Sequence, residues 1–283
     1  MVHTIACANQ KGGVGKTTTV VNLATYLALA GKRILVIDLD SQGNATSGFG
    51  LDKSGLERSM YDAMIDAVAL SELALPTPVQ GLRIVPASVA LAGAEVELAP
   101  VAQRERRLAK LIEGVAPDYD YIFLDCPPSL GLMTINALTA ADAALVPLQC
   151  EYYALEGLTQ LISTINLVRD HLNPSIVLAG VVLTMYDPRT NLSSEVSAEV
   201  RKHLGDVVYE TVVPRSVRLA EAPSYGLPIA LYREDCKGAE AYRALAEAFL
   251  RRNGTAERSS APTAPAVEPH PRVAAPARAL EVA

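Results

Sequence analysis

The sequence predicts an α/β fold: a mostly parallel sheet flanked by helices on both faces. Three observations carry that expectation. Short apolar runs alternate with longer runs of helical period, the rhythm of strands joined by crossover helices. No repeat of 20 to 50 residues and no second core-forming block interrupts that rhythm, so one domain is expected. Hydrophobic residues make up 50% and charged residues 20% of the 283, enough to bury about three quarters of the unfolded surface of a domain of roughly 250 residues.

Taken in order, the apolar runs at residues 4–8, 33–37, 82–86, 121–124, 143–148 and 176–183 read as buried strands. Between them, apolar residues at 3.6-residue spacing predict helices over 16–30, 101–115, 131–140, 155–171 and 193–204. The first helix begins directly after a glycine loop and closes at Gly31. Near Asn253 the composition turns to Ala, Pro and charge without period. The expected organisation is therefore one domain over residues 1–254 and a disordered Ala/Pro-rich tail over 255–283.

Charge and cysteine content narrow the function classes. Lys+Arg number 25 against 31 Asp+Glu, a net charge of −6, which argues against a surface coated with basic side chains but leaves room for a local patch. Four cysteines without a CxxC pair give neither a disulfide framework nor a zinc spacing, and a reducing cytoplasm fits them. No run of 18 apolar residues and no signal-peptide pattern is present, so neither a membrane span nor export is expected.

The strongest motif is Lys11-Gly12-Gly13-Val14-Gly15-Lys16-Thr17-Thr18, between an apolar strand and a helix. Glycines lack Cβ, so successive N–H groups can converge on phosphate oxygens at the positive end of a helix. Lys16 adds charge and Thr17 offers a hydroxyl to Mg²⁺. Gln10 stands where the usual phosphate loop has its first glycine, and a second lysine, Lys11, stands beside it. The run Arg33 to Asp40 ends in two acids spaced by two, Asp38 and Asp40, which alternation places on one face at the strand's C-terminal end, where open α/β sheets bind ligands. A further apolar run, Tyr121 to Leu124, ends in Asp125 and is followed by Cys126-Pro127-Pro128. Cys126 reads as a small buried neighbour.

KGGVGKTT, DxDxQGNAT and the strand ending in Asp125 together resemble the ParA/MinD family of deviant Walker A P-loop ATPases. The segments 183–192 and 213–224 resemble the blocks of chromosomal ParA (Soj) proteins, so the likeness runs from about residue 5 to about 250. The resemblance implies an ATP hydrolase that uses ATP and Mg²⁺ and works as an ATP-dependent homodimer. In it Lys11 reaches across the dimer to the partner's nucleotide, much as an arginine finger does. Asp40 orients and activates the attacking water, Thr17 and Asp125 hold the metal, and Asp38 sits near its water shell. Met185, Pro214 and Ser216 are the adenine candidates; the family often has Asn at the last position, which leaves a backbone contact there.

The same resemblance makes Arg189 and Arg218 the residues that grip nonspecific double-stranded DNA, a grip doubled by dimerisation. It also implies a ParB-like centromere-binding partner that stimulates hydrolysis, and a cytoplasmic, nucleoid-associated protein driving chromosome or plasmid segregation. The alternative is a MinD-like membrane-cycling regulator, which needs an amphipathic C-terminal helix that the Pro-interrupted tail does not offer. An iron–sulfur relative is disfavoured by the cysteine contexts. The cluster Arg104-Glu105-Arg106-Arg107 with Lys110 reads as a solvated helix face rather than a binding surface.

Overall fold

A computed structural model describes residues 2–152 and 154–256; the tail expected from the sequence lies, apart from its first two residues, outside the described residues. The strands, in chain order, are β1 (His3–Cys7), β2 (Ile34–Asp38), β3 (Leu75–Pro76), β4 (Leu82–Val85), β5 (Tyr121–Asp125), β6 (Ala143–Gln149) and β7 (Val177–Thr184). The helices are α1 (Lys16–Leu29), α2 (Asn44–Gly48), α3 (Met60–Asp66), α4 (Leu70–Leu73), α5 (Leu91–Glu97), α6 (Arg107–Glu113), α7 (Leu132–Ala140), α8 (Ala154–His171), α9 (Asn191–Leu204), α10 (Val217–Glu221), α11 (Ile229–Tyr232) and α12 (Lys237–Ala256).

The strands form one sheet in the order β3-β4-β2-β5-β1-β6-β7. All pairings are parallel except β3 with β4. The chain reverses direction along the strand order between β1 and its neighbours β5 and β6, and such crossing points leave a crevice at the strand C-termini. The alternation of the pleat divides β1 between two cores: Ile5 and Cys7 face the one covered by α1 and α12, Ala6 and Ala8 the one covered by α3, α5, α6, α7 and α8.

The expected parallel sheet is thus present with one antiparallel edge. That edge, β3, is two residues long and contains Pro76; two residues carry too little pattern to be read from sequence. At the other edge β7 is met by irregular backbone, with the amides of Tyr209 and Val213 donating to the carbonyls of Val181 and Leu183. The helix expected over 101–115 is shorter, a 3-10 turn at Arg104–Arg106 leading into α6. Gln103 is the reason: its φ of 56° takes it out of the helical region, where a residue with a Cβ is strained. Helix α12 was not expected as an element and seals one core with Tyr242, Leu245 and Phe249, all buried. Each such side chain contributes about 1.5–3 kcal/mol by leaving water.

The basic cluster turns out to be internal fastening. The guanidinium of Arg106 donates to the carbonyl of Leu172 at 2.8 Å and that of Arg107 to Ile65 at 2.6 Å, while Lys110 reaches Gln103 at 3.3 Å.

Candidate functional site: a phosphate loop beside two buried carboxylates

The glycine loop joins β1 to α1 at the sheet's C-terminal edge. Gly13 and Gly15 take φ of 75° and 88°, a left-handed pair that only glycine adopts without strain. Gly15 is the N-cap of α1 and lacks a side-chain cap bond, so the first-turn amides stay open to an anion. Two residues outside the motif splint the loop. Asn9 donates to the carbonyl of Pro147 at 2.8 Å and accepts the Lys11 amide at 3.0 Å; the Thr184 hydroxyl donates to the carbonyl of Val14 at 2.8 Å. Neither stands out in sequence, although Asn9 lies two residues before the motif.

Lys16 is only 6% exposed and its ammonium donates to the carbonyl of Lys11 at 3.2 Å. Lys11 itself is exposed and forms an ion pair with Glu151, at the end of β6. Val14 is buried, and Thr17 and Thr18 open α1 half-buried.

Behind the loop, Asp38 ends β2 and Asp125 ends β5, in register across adjacent strands. Both are fully buried. Asp38 accepts the amide and hydroxyl of Thr46 at 2.9 and 2.8 Å and the Asp40 amide at 3.1 Å. Burial raises its pKa to about 6 against the pull of those bonds. Neither oxygen of Asp125 has a hydrogen-bond partner among the described residues. Burial, then the neighbouring Asp38, push its pKa well up, while Thr17 and Lys16 pull it down. Asp40 differs from the expectation of two acids along one strand: β2 ends at Asp38, and Asp40 belongs to the following turn, where it accepts the Gln42 amide at 3.0 Å. The turn nonetheless keeps it beside Asp38, and it is 8% exposed. Cys126 is buried and its thiol is pushed up by burial, as an inert neighbour should be.

The two downstream blocks converge. Tyr186 and Pro214 pair as a parallel bridge, and the Arg215 amide donates to Tyr186 at 3.1 Å. Met185, at φ 50°, therefore lies close to Pro214, and Ser216 follows as the N-cap of α10. Thr184 ties this cluster to the phosphate loop. Arg189 is 85% exposed and binds both oxygens of Asp187 at 2.7 and 2.8 Å; Arg218 pairs with Glu221 at 2.7 Å. A cavity of about 580 Å³ at the other edge of the sheet carries no comparable chemistry. Its two cations are already engaged, Arg33 by Asp120 and Arg83 by the carbonyl of Ala74.

Comparison with known proteins agrees with this geometry. A family profile described as an AAA domain matches residues 2–178. The sporulation initiation inhibitor protein Soj of Bacillus subtilis is 55% identical over 243 residues, 86% of this chain and 96% of the relative. The chromosome partitioning protein ParA of Caulobacter vibrioides is 49% identical over 253 residues, 89% of this chain and 95% of the relative. A crystal structure of cobyrinic acid a,c-diamide synthase from Mycobacterium smegmatis, solved with a bound ATP analogue and magnesium, superposes with a TM-score of 0.80. It is 37% identical and the match covers 90% of this chain and 97% of that one. On the matched motifs, the shared fold and identities near one half across almost the whole domain, the chain belongs to the Soj/ParA family of chromosome-partitioning proteins.

Proposed function

We propose that this chain is the ATPase of a DNA partition system: an ATP-dependent homodimer that binds nonspecific DNA and hydrolyses ATP when a ParB-like centromere-binding partner stimulates it. The observation that carries the reading is the fully buried Asp125 carboxyl, neither oxygen of which has a hydrogen-bond partner among the described residues, set beside Thr17 and Asp38 under a phosphate loop. A hard divalent cation with oxygen ligands suits that donor set. Thr17 and Asp125 would hold Mg²⁺, with Asp38 near its water shell; when bound, the ion neutralises charge on the phosphate oxygens.

The remaining work falls to the chain's own groups. The amides of the 12–15 loop and the Lys16 ammonium hold the phosphates at the open end of α1. Asp40, outside the Asp38–Asp125 pair but beside it, orients the attacking water and takes its proton. Lys11 leaves Glu151 and reaches the partner's nucleotide on closure, so hydrolysis by a lone subunit is slow. Met185, Pro214 and the Ser216 backbone receive the adenine. Arg189 and Arg218 give up weak surface ion pairs for DNA phosphates, an exchange that costs little because exposed pairs contribute little.

Identities of 55% and 49% to Soj and ParA support this reading over a membrane-cycling regulator. Among the described residues no helix is long and apolar enough to cross a membrane. The test is the ATPase rate measured alone, with DNA, and with DNA plus the partner encoded beside the gene. Stimulation in the last arm is expected. A rate indifferent to both additions, or an Asp40→Ala chain that hydrolyses as fast as its parent, removes the assignment.

A further inference from the structure

The segment from Pro214 to Ile229 carries Arg218 and is fastened at three points, each to a different nucleotide element. At its start, Pro214 bridges Tyr186 and Arg215 donates to the Tyr186 carbonyl, beside Met185. At its end, the Ile229 amide donates to the buried Asn22 side chain at 2.7 Å; Asn22 also donates to the carbonyl of Thr18, in the first turn of α1, at 2.8 Å. Between them the backbone at Gly226 crosses the backbone at Gly50, two residues past α2. A Cβ built on Gly226 would stand 2.6 Å from the Gly50 Cα, and one built on Gly50 would stand 2.9 Å from the Gly226 carbonyl oxygen. Both glycines have positive φ, 64° and 80°. Two main chains in direct contact leave no side chain to deform, so displacement of one is passed to the other.

What lies on the far side of Gly50 is the acidic turn. Helix α2 begins after Gly43, whose amide donates to the Asp40 carbonyl, and its Thr46 is the double donor to Asp38. Asp38 and Asp40 are therefore both tied to α2, and α2 leads within two residues to Gly50. Arg218 lies eight residues upstream of Gly226 on a segment stiffened by the stacked Tyr225 and Tyr232 rings, 4.8 Å apart, and by the Tyr232 hydroxyl donating to Glu221 at 3.2 Å. Leu219 in α10 packs against Gly238 at the start of α12 so closely that a Cβ on that glycine would lie 2.7 Å from its Cγ.

We propose that residues 214–229 act as a coupling strap, with Asn22, Gly50 and Gly226 as positioning residues that transmit the state of the phosphate loop and the Asp38–Asp40 turn to Arg218. The idea rests on the proposed function only in its output; the coupling itself concerns nucleotide and strap alone. A two-state element biased by both sites is what allosteric coupling requires.

Two readouts separate the parts. Amide hydrogen exchange on the full chain, with and without Mg·ATP, should show slower exchange both in residues 10–18 and in 216–229. In Gly226→Ala the phosphate loop should remain protected while the change in 216–229 disappears. Gly31→Ala is the control: Gly31 also has positive φ, 84°, but a Cβ there meets nothing within 4 Å, so it carries comparable backbone strain without the crossing and should respond as the parent does. Asn22→Ala, which removes both the acceptor for the Ile229 amide and the donor to Thr18, should uncouple in the same way. If the strap of the parent ignores Mg·ATP while the loop is protected, or if Gly226→Ala responds like Gly31→Ala, the proposal is overturned. The second readout is the ratio of DNA affinities with ATP and ADP. It should fall at least fivefold in Gly226→Ala with ATP affinity within twofold of the parent. A strap that responds in exchange while the parent's DNA affinity ignores ATP would sustain the coupling and reject the partition reading instead.

Discussion

At the C-terminal ends of β1, β2 and β5, ionisable groups are buried before any ligand arrives: Lys16, Asp38 and Asp125 are 6%, 0% and 0% exposed, and Asp125 has no hydrogen-bond partner among the described residues. At the arginine rim the opposite holds, since Arg189 is 85% exposed and both Arg189 and Arg218 are neutralised by acids two or three residues away. The first region stores unfavourable desolvation that a cation and phosphates relieve. The second stores nothing, because surface pairs open at little cost. A ligand at the buried edge should therefore change stability strongly, whereas one at the rim should change it weakly and be sensitive to salt.

Four experiments break or sharpen that contrast. The largest effect belongs to Asp40→Ala, which should lower the stimulated ATPase rate about a hundredfold or more while nucleotide still binds, as loss of a general base does; single-turnover kinetics check it. Next, Asp125→Asn should raise the melting temperature of the nucleotide-free chain by about 2–4 °C, the shift expected for roughly 1 kcal/mol in a domain of this size. The same variant should lose the further stabilisation that Mg·ATP gives the parent. A nucleotide-free chain destabilised by this change would mean that Asp125 is not a stored cost.

At the rim, Arg189→Ala or Arg218→Ala should weaken DNA binding about tenfold and reduce the salt slope by roughly one per lost contact, with ATP affinity unchanged. Unaltered affinity and slope in both variants would empty the rim of its role. The smallest effect is that of Asp187→Asn. Arg189 holds the Asp187 carboxyl down at about 2, so Asp187 stays ionised and competes with phosphate throughout the physiological range. Its removal should raise DNA affinity by about two- to fivefold, read in a titration at constant salt.

The contrast also explains what the sequence reveals and what it hides. The phosphate loop and Asp125 are legible because their chemistry is local: consecutive glycines, a lysine and a strand-end acid each declare themselves within a few residues. The register that sets Asp38 beside Asp125 is not, since strand order β2-β5-β1 arises from crossovers that no short window contains. Asn9 reaches Pro147 across 138 residues and Thr184 reaches Val14 across 170, and Glu151 meets Lys11 only through the placement of β6. Helix 101–115 fails as a prediction because its apolar spacing persists through Gln103 while the backbone does not. The arginines were readable as residues but not as partners of Asp187 and Glu221, because an ion pair within three residues looks the same in sequence whether or not it forms.

The sheet's margins set a rule for assembly. Pro76 has no amide hydrogen to offer a further strand, and β3 spans two residues. Across the sheet, Tyr209 and Val213 already occupy carbonyls of β7. Both margins are therefore poor templates for another chain's strand at these positions. These margins favour contacts between copies through loops and helices, which a bound ligand can make or unmake, over a continuous intermolecular β-ladder.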